Sequence, residues 1–307
     1  MNAQALTGYS LRVESRIGGG GGGTVYKAWH MRLEKYVVIK ECRLSCSPPA
    51  RRNEADALKN IKNQYLPQIY DYLEESGCAV TVMEYIEGRS FDKLLRLGQM
   101  FSESEVIKWY LQLALALEAL HGQNICHRDI KPANIMLKPD GDVCLIDFDT
   151  AYVNGSTAKV ISRSLGYASP EQYEIYEQIK KSRGVQKSAS PHSVERIDWK
   201  RSDIYSLGAA VYHILTGRHP HKRTKEAAAA SKPGRYGTDL MGIITKSMQA
   251  EPSKRFASAA DLARSIGGIS KRGEKGVIKL SPGEMILCGI TAGLSGAAIL
   301  ATIRACR

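Results

Sequence analysis

The chain has 307 residues, of which 43% are hydrophobic and 24% are charged. This length suits one large domain or two small ones, and this composition excludes an intrinsically disordered or fibrous protein. The formal net charge of +12 favours an anionic partner, which could be phosphate, nucleic acid or a lipid surface. The seven cysteines lack the paired spacing of a metal site, so we expect reduced thiols in a cytosolic domain.

The hydrophobic pattern predicts strands first and helices afterwards. Strands are expected at 25–29, 36–40, 69–75 and 78–86, with one helix at 51–62 between them. Helices are expected at 91–97, 105–121, 202–217, 238–249 and 258–266. A strand-rich part followed by a helix-rich part indicates an α+β fold rather than alternating βαβ units.

A glycine run, IGGGGGGTVYKA at 17–28, lies between two of the predicted strands. Gly18, Gly20 and Gly23, followed by Val25, fit the pattern G-x-G-x-x-G-x-V. A loop without Cβ atoms lets backbone N–H groups approach phosphates closely. Because the run does not open a helix, it argues against a Rossmann fingerprint. Six consecutive glycines also fit a merely flexible hairpin, so that alternative stays open.

Lys40 ends the apolar strand YVVIK fifteen residues after Val25. Glu54 follows on a predicted helix, and a carboxylate paired with Lys40 would keep the ammonium aimed at a phosphate. Glu41 is nearer in sequence but neighbours Lys40 on the strand and therefore points to the opposite face.

The most specific motif is ICHRDIKPANIML at 125–137. Asp129 can accept a hydroxyl proton, Lys131 can neutralise a transferring phosphate, and Asn134 offers an amide oxygen to a divalent cation. In the later segment LIDFDTA at 145–151, Asp147 ends an apolar strand and offers a second oxygen ligand. Mg²⁺ prefers such oxygen ligands together with phosphates.

These motifs resemble those of the eukaryotic-like bacterial Ser/Thr protein kinases, over about residues 9–269. The resemblance implies a two-lobed fold, with an N-lobe at about 9–87 and a C-lobe at about 88–269. It also implies transfer of the ATP γ-phosphoryl group to protein Ser or Thr, with Mg²⁺ or Mn²⁺. The catalytic set it implies is Asp129, Lys131, Asn134 and Lys40, with Asn134 and Asp147 as the metal ligands.

The resemblance extends to a nucleotide pocket. VMEYIEG at 82–88 resembles the hinge of the family, with Met83 as gatekeeper. The implied ATP-binding residues are Gly18, Gly20, Gly23, Val25, Val38, Lys40, Glu54, Glu84, Ile86 and Met136. Glu84 and Ile86 would bind adenine through their backbones. For the apolar members, ordinary core packing is the alternative.

The resemblance also predicts contacts that support the site. Asp203 is expected to support the backbone of the catalytic loop, and Arg255 is expected to pair with Glu171. Ser164 fits a structural hydroxyl position beside the substrate. Ser156, Thr157 and Ser162 are candidate phosphorylation sites, whose phosphate could pair with Arg128.

Three features depart from the family, and the first is the six-glycine run, which is expected to be unusually mobile. Asp149 replaces the glycine of the DFG motif, so a nucleotide-binding pseudokinase that acts as a membrane scaffold is the alternative function. The stretch 174–201 is longer than usual, and a solvated loop is favoured there over a docking element.

The C-terminal segment predicts a membrane anchor. Residues 285–303 contain no charge, and as a helix they would be about 28 Å long, close to the hydrocarbon thickness of a bilayer. A buried core helix is the alternative. The basic linker at 270–284 places the kinase domain in the cytoplasm of a single-pass cell-membrane protein that contacts lipid. Gly289 and Gly293 form a G-x-x-x-G that could support a homodimer.

No nucleic-acid recognition module is seen in the sequence, and no nucleic-acid partner is expected.

Overall fold

The structure of the chain is a computed structural model. It describes residues 10–20, 23–43, 58–75, 77–148, 150–153, 164–183, 197–220 and 236–272. Several predicted features lie outside these ranges: Glu54, Asp149, the candidate phosphorylation sites Ser156, Thr157 and Ser162, and the span at 285–303.

The N-lobe is a five-stranded antiparallel sheet with strand order β1-β2-β3-β5-β4. The strands are β1 (Leu11–Gly20), β2 (Gly23–His30), β3 (Lys35–Arg43), β4 (Ile69–Glu75) and β5 (Cys78–Glu84). Ala28, Val37, Ile39, Val80 and Val82 are buried together on one face of the sheet. Because these side chains alternate with half-exposed ones along the strands, the opposite face remains free to line a cleft. The four predicted strands are confirmed.

The glycine run continues the first two strands. Gly18 pairs with Val25, and Gly20 pairs with Gly23, so the run forms a hairpin and does not open a helix, as predicted. Gly23 has a φ of +134°, and a Cβ built there would lie 2.2 Å from the carbonyl oxygen of Glu41. Only glycine therefore fits at this point, where β2 begins against β3.

The C-lobe consists of helices and short strands. The helices are α1 (Phe91–Arg96), α2 (Glu103–Gly122), α3 (Pro170–Arg183), α4 (Trp199–Thr216), α5 (Thr238–Ser247) and α6 (Ala259–Arg272), with 3-10 turns at Pro132–Asn134 and Pro252–Lys254. The short strands are β6 (Arg89–Ser90), β7 (Ile125–Cys126), β8 (Ile135–Leu137), β9 (Val143–Leu145) and β10 (Tyr152–Val153). Strands β6, β8 and β9 form one small sheet, and β7 pairs with β10. Each of the five helices predicted after residue 90 is confirmed.

Helix α2 is the centre of the C-lobe. Ser102 and Glu105 form a capping box that satisfies backbone N–H groups at its start. Most of its residues from Val106 to Leu120 are buried, and it packs against α4 and α6. The chain leaves this rigid element at Gly122 and enters β7 and the catalytic loop, so α2 fixes the base of that loop.

The stretch 174–201 is partly helical, which corrects the prediction of a solvated loop. Helix α3 continues to Arg183, and α4 begins at Trp199. Ile175 is buried and Tyr176 packs beside it, so this part of α3 has an apolar side that packs against the rest of the C-lobe. The contacts that bury this side come from residues distant in the sequence, which is why local polarity misled the prediction.

Helix α6 runs to Arg272, where the described residues end. Among the described residues, the helices are too short or too polar for any of them to cross a bilayer.

A buried ion pair joins the start of α3 to the turn before α6, as predicted. The Arg255 guanidinium donates to both carboxylate oxygens of Glu171, at 2.6 and 2.8 Å. It also donates to the carbonyl oxygens of Gln249, Ala250 and Arg201. The Arg255 side chain has no exposed surface. Its hydrogen bonds to protein atoms therefore take the place of those it would make to water.

Arg255→Ala is expected to lower the free energy of unfolding by about 2–4 kcal/mol, because it strands a partly buried carboxylate without its partner. The matched control is Lys254→Ala, the next residue along the chain. Lys254 pairs with Glu251 at 2.8 Å, but both side chains are more than 60% exposed, so its loss should cost less than about 0.5 kcal/mol. Urea unfolding of both variants measures the difference, and equal losses would contradict the buried-pair account.

Candidate active site

The catalytic loop is held from beneath by Asp203, as predicted. Asp203 is fully buried on α4 and accepts the backbone N–H groups of His127 and Arg128, both at 2.8 Å. The ring of His121 lies 3.0 Å from the same carboxylate. Arg128 has a φ of 63°, a left-handed conformation that costs an ordinary residue about 1–2 kcal/mol. The hydrogen bonds that these N–H groups donate to Asp203 hold the backbone in this conformation, and so orient the next residue, Asp129.

Asp129 is 9% exposed and lies among hydrogen-bond donors. The Lys131 ammonium donates to one carboxylate oxygen at 2.6 Å, and the Ser164 hydroxyl donates to the other at 2.5 Å. Lys131 also lies 3.3 Å from the Ser164 oxygen. The carboxylate therefore already makes the contact that a general base needs with a hydroxyl, beside a cation that can stabilise negative charge. Ser164, which was predicted only to fit a structural hydroxyl position beside the substrate, thus contacts two residues of the catalytic loop.

Asn134 and Asp147 supply oxygen atoms of the kind that Mg²⁺ prefers. The Asn134 amide nitrogen donates to the Asp129 carbonyl oxygen at 2.9 Å, which turns the amide oxygen the other way. The Ile146 N–H donates to the Asn134 carbonyl oxygen at 2.8 Å, so the loop is tied to the residue before Asp147. Asp147 has a φ of 69° and a side chain that is 37% exposed. One amide oxygen and one accessible carboxylate fit a magnesium ion that keeps water and phosphate ligands.

Lys40 bridges the two lobes through an ion pair that the sequence analysis did not predict. Its ammonium lies 2.8 Å from the Asp147 carboxylate, and the Lys40 side chain is 13% exposed. Its predicted partner Glu54 lies outside the described residues. The pair presents a cation and an anion side by side, which is complementary to a magnesium-bound phosphate: the ammonium can turn to phosphate oxygen and the carboxylate to the metal.

Several predicted ATP-binding residues share one face of the N-lobe sheet. Val25 pairs with Gly18 on one side and with Lys40 on the other, and Val38 pairs with Met83. Directly opposed residues of antiparallel strands point to the same face, as do residues two apart on one strand. Val25, Val38, Lys40 and Met83 therefore lie on the face opposite to the buried Val37 and Ile39.

Half-exposure distinguishes the predicted adenine-contacting side chains from the core. Val25 and Val38 in the N-lobe and Met136 on β8 are each partly exposed. Adenine binding by these residues stays a prediction that agrees with this surface.

The hinge is fixed by a reciprocal pair of hydrogen bonds. The Glu84 N–H donates to the Gln68 carbonyl oxygen at 2.8 Å, and the Gln68 N–H donates to the Glu84 carboxylate at 3.1 Å. Because the Glu84 N–H is engaged, only the carbonyl oxygen of its backbone can contribute to adenine binding. Ile86 follows immediately after β5 and stays the predicted second contact.

Two residues near the catalytic loop were missed by the sequence analysis. Gln172 is fully buried and donates its side-chain amide to the Arg128 carbonyl oxygen at 2.8 Å. Trp199 places its ring under the Arg128 guanidinium, with 5.0 Å between the guanidinium carbon and the ring centroid. The chain contains only three tryptophans, and one of them lies a single helical turn before Asp203. This spacing could have indicated from the sequence that Trp199 lies near the catalytic loop.

A tyrosine–histidine contact holds the loop that follows Ser164. Tyr167 lies with its hydroxyl 2.6 Å from Nδ1 of His213. Burial lowers the pKa of His213 to about 4, and the neighbouring His219 lowers it as well. The carboxylate of Asp92 acts in the opposite direction, but its effect is smaller. Burial also raises the pKa of Tyr167. The phenol therefore stays protonated and donates its hydrogen to a neutral imidazole.

This contact is expected to make the protein less stable in acid. In the unfolded chain a histidine takes up a proton below about pH 6.5, whereas folded His213 does so only near pH 4. The stabilisation is therefore complete above pH 6.5 and is lost as the pH falls towards 4. Between pH 7 and 4.5 the wild type should lose about 1–2 kcal/mol more than His213→Gln, which accepts the same hydrogen bond without titrating. Urea unfolding at both pH values measures this, and equal losses would contradict it.

Comparison with known proteins agrees with this geometry. The sequence model of the protein kinase domain matches residues 11–267. The chain is 31% identical over 288 residues to a probable serine/threonine-protein kinase PknB of Bifidobacterium longum, covering 85% of this chain and 40% of that protein. It is 28% identical over 271 residues to the serine/threonine-protein kinase PrkC of Bacillus subtilis, covering 81% of this chain and 39% of that protein. A probable serine/threonine-protein kinase of Streptomyces coelicolor is 28% identical over 267 residues, covering 80% of this chain and 38% of that protein.

The chain thus spans about two-fifths of the length of these curated relatives. The match covers both lobes, the catalytic loop and the residues that support it. The predicted resemblance is confirmed at the level of the family. The chain belongs to the protein kinase family, whose domain model matches most of its length.

Proposed function

We propose that this protein transfers the γ-phosphoryl group of ATP to serine and threonine hydroxyls of proteins. The observation that carries the proposal is the Asp129 carboxylate, which is bonded at once to the Lys131 ammonium and the Ser164 hydroxyl. A hydroxyl, a proton acceptor and a cation are the three groups that the reaction needs in one place. The serine/threonine class of the relatives supports the choice of acceptor.

Each residue then has a defined task. Asp129 orients the acceptor hydroxyl and takes its proton, while Lys131 stabilises the negative charge that develops beside it. Lys40 holds phosphate oxygens from the N-lobe side. Asn134 and Asp147 would hold Mg²⁺, which when bound neutralises phosphate charge.

The test is the identity of the phosphorylated residue. Purified full-length protein is incubated with labelled ATP, Mg²⁺ and a generic protein acceptor, and the products are hydrolysed to amino acids. Phosphoserine and phosphothreonine without phosphotyrosine are expected. Phosphotyrosine as the main product would contradict the proposed acceptor, and the absence of transfer under all metal conditions would favour the pseudokinase scaffold that Asp149 suggested.

We also propose that residues 285–303 anchor the protein in the cell membrane with the kinase domain in the cytoplasm. The support is the sequence: 19 uncharged residues follow a basic linker. Gly289 and Gly293 would allow two such spans to pack closely as a homodimer, which cross-linking of Gly289→Leu against the wild type in membranes would test.

Membrane fractions washed with high salt and then carbonate test the anchor. The full-length wild type should remain in the membrane, because a span is not released when charges are screened. Leu294→Arg combined with Ala297→Arg should release it, since each central arginine costs about 2.5–3.5 kcal/mol on insertion scales. Release of the wild type by salt alone would contradict the span and indicate peripheral binding through the basic linker.

A further inference from the structure

A tight turn of four residues lies beside the catalytic loop. It begins at Ser164, whose carbonyl oxygen accepts the N–H of Tyr167 at 3.0 Å. Gly166, the third residue of the turn, has a φ of +83°, as a type II turn requires. The Ser164 hydroxyl donates to Asp129 at 2.5 Å. The 164–167 turn therefore starts at the residue whose hydroxyl touches the proposed proton acceptor.

The peptide between Leu165 and Gly166 is the central peptide of this turn. The hydrogen bond that closes the turn does not involve it, so it can rotate while the turn stays closed. A positive φ at the third residue gives a type II turn, and the rotated peptide gives a type I turn. Glycine adopts either sign of φ with little cost. The turn itself therefore does not select one orientation of its central peptide.

The hydroxyl of Tyr173 supplies the contact that selects the orientation. The Gly166 N–H donates to the Tyr173 hydroxyl oxygen at 2.8 Å. The same hydroxyl donates its hydrogen to the Ser164 carbonyl oxygen in a longer contact of 3.4 Å. Rotation of the central peptide would turn the Gly166 N–H away from Tyr173 and break the shorter of these bonds. One side chain thus contacts both the first residue of the turn and its central peptide.

Tyr173 projects from a part of α3 that is fixed to the rest of the C-lobe. The two residues before it hold the start of this helix. Glu171 pairs with the buried Arg255 guanidinium, and Gln172 donates to the carbonyl oxygen of Arg128. The Tyr173 hydroxyl is therefore supported by a rigid helix end, and the turn that it contacts is held against that end.

The 164–167 turn lies where the acceptor chain has to pass. A hydroxyl of the acceptor has to reach Asp129, which the Ser164 hydroxyl now touches. Leu165, the next residue, is 49% exposed, so the residues that flank the acceptor hydroxyl meet this side chain and the backbone of the turn. Because the N–H and C=O groups of a trans peptide point in opposite directions, the bond from Gly166 to Tyr173 also orients the Leu165 carbonyl oxygen.

We propose that Tyr173 is a positioning residue, whose hydroxyl fixes the central peptide of the 164–167 turn and thereby the surface that receives the acceptor protein. This inference rests on the proposed phosphoryl transfer and adds a residue that acts on the acceptor side of the reaction. Loss of the hydroxyl is therefore expected to weaken use of the acceptor and to leave ATP binding unchanged.

Tyr173→Phe tests the proposal, because it removes the hydroxyl and keeps the ring. Transfer is measured with full-length protein, ATP, Mg²⁺ and casein as the acceptor. The KM for casein should rise about three- to tenfold, the range in which one neutral hydrogen bond acts, and the KM for ATP should stay unchanged. An unchanged KM for casein, or an equal rise in both KM values, would overturn the inference and leave the proposed function standing. The absence of transfer by the wild type would overturn both.

Tyr110→Phe is the matched control. It also removes one tyrosine hydroxyl, which lies 2.7 Å from the Ser247 hydroxyl in the buried core of the C-lobe. This loss should lower the unfolding temperature and leave both KM values unchanged. A rise in the KM for casein equal to that of Tyr173→Phe would show a general effect of lower stability, and would overturn the inference.

Hydrogen exchange of the Gly166 amide, followed by NMR, gives a readout that does not depend on phosphoryl transfer. In the wild type without acceptor, this amide should exchange at least about tenfold more slowly than in an unstructured chain. Tyr173→Phe should lose most of that protection. Exchange of the wild-type amide at the rate of an unstructured chain would overturn the inference. If Tyr173→Phe does not fold, this measurement on the wild type decides the inference alone.

Discussion

Asp129→Asn is expected to lower kcat by about 10²–10⁴-fold, the usual contribution of a general base. The amide has the shape of the carboxylate but cannot take a proton from the acceptor hydroxyl. It can still accept from Lys131 on one side and donate to the Ser164 oxygen on the other, the two contacts that now hold the carboxylate. Folding and the KM for ATP should therefore change little.

Steady-state kinetics and thermal unfolding of the purified variant measure these quantities together. The matched control is Asp140→Asn, which alters an exposed aspartate in the β8–β9 turn that pairs with Lys138 at 3.1 Å. The control should keep full activity. Transfer at the wild-type rate by Asp129→Asn would remove the proton-accepting role and require another base.

Asp203→Asn is expected to cost about 2–4 kcal/mol of folding free energy and to lower kcat at least tenfold. One amide oxygen cannot replace two carboxylate oxygens that accept the N–H groups of His127 and Arg128. At least one buried donor would then face the amide NH₂ group, and a buried donor without an acceptor costs about 1–3 kcal/mol, more where a charge was involved. The effect on kcat follows because the released backbone leads directly into Asp129.

Asp198→Asn is the control for this change. Asp198 caps the start of α4 by accepting the Arg201 N–H at 3.0 Å, and its side chain is 46% exposed. Asparagine caps helices about as well as aspartate, so stability should change by less than about 0.5 kcal/mol. Urea unfolding combined with the transfer assay compares the two variants. Similar small effects at both positions would contradict the supporting role assigned to Asp203.

Motifs with fixed short spacing allowed much of this site to be predicted. The positions of Asp129, Lys131 and Asn134 follow from one loop of six residues, whose local geometry leaves few arrangements. Strand alternation predicted that Glu41 points away from the face of Lys40, because the side-chain period of a strand is two. The supporting contacts of Asp203 and Arg255 were predicted from the family resemblance rather than from local pattern.

Contacts between distant segments could not be predicted in this way. Lys40 and Asp147 are 107 residues apart and meet only because the two lobes face each other. Ile175 and Trp199 lie in a segment whose polar composition indicated a solvated loop, and their burial depends on Cys126 of β7. The sequence carries the apolar residues of this cluster, but the partner that covers them is set by the packing of α3 and α4 against the catalytic loop.

The central claim is that this chain catalyses phosphoryl transfer and does not merely bind nucleotide. The most direct measurement compares ATP binding and phosphoryl transfer by full-length wild type and Asp129→Asn across a titration of Mg²⁺ and Mn²⁺. Both proteins should bind ATP with similar affinity, and only the wild type should transfer its γ-phosphoryl group to a protein acceptor. A wild type that binds ATP but transfers no phosphoryl group at any metal concentration would contradict the claim.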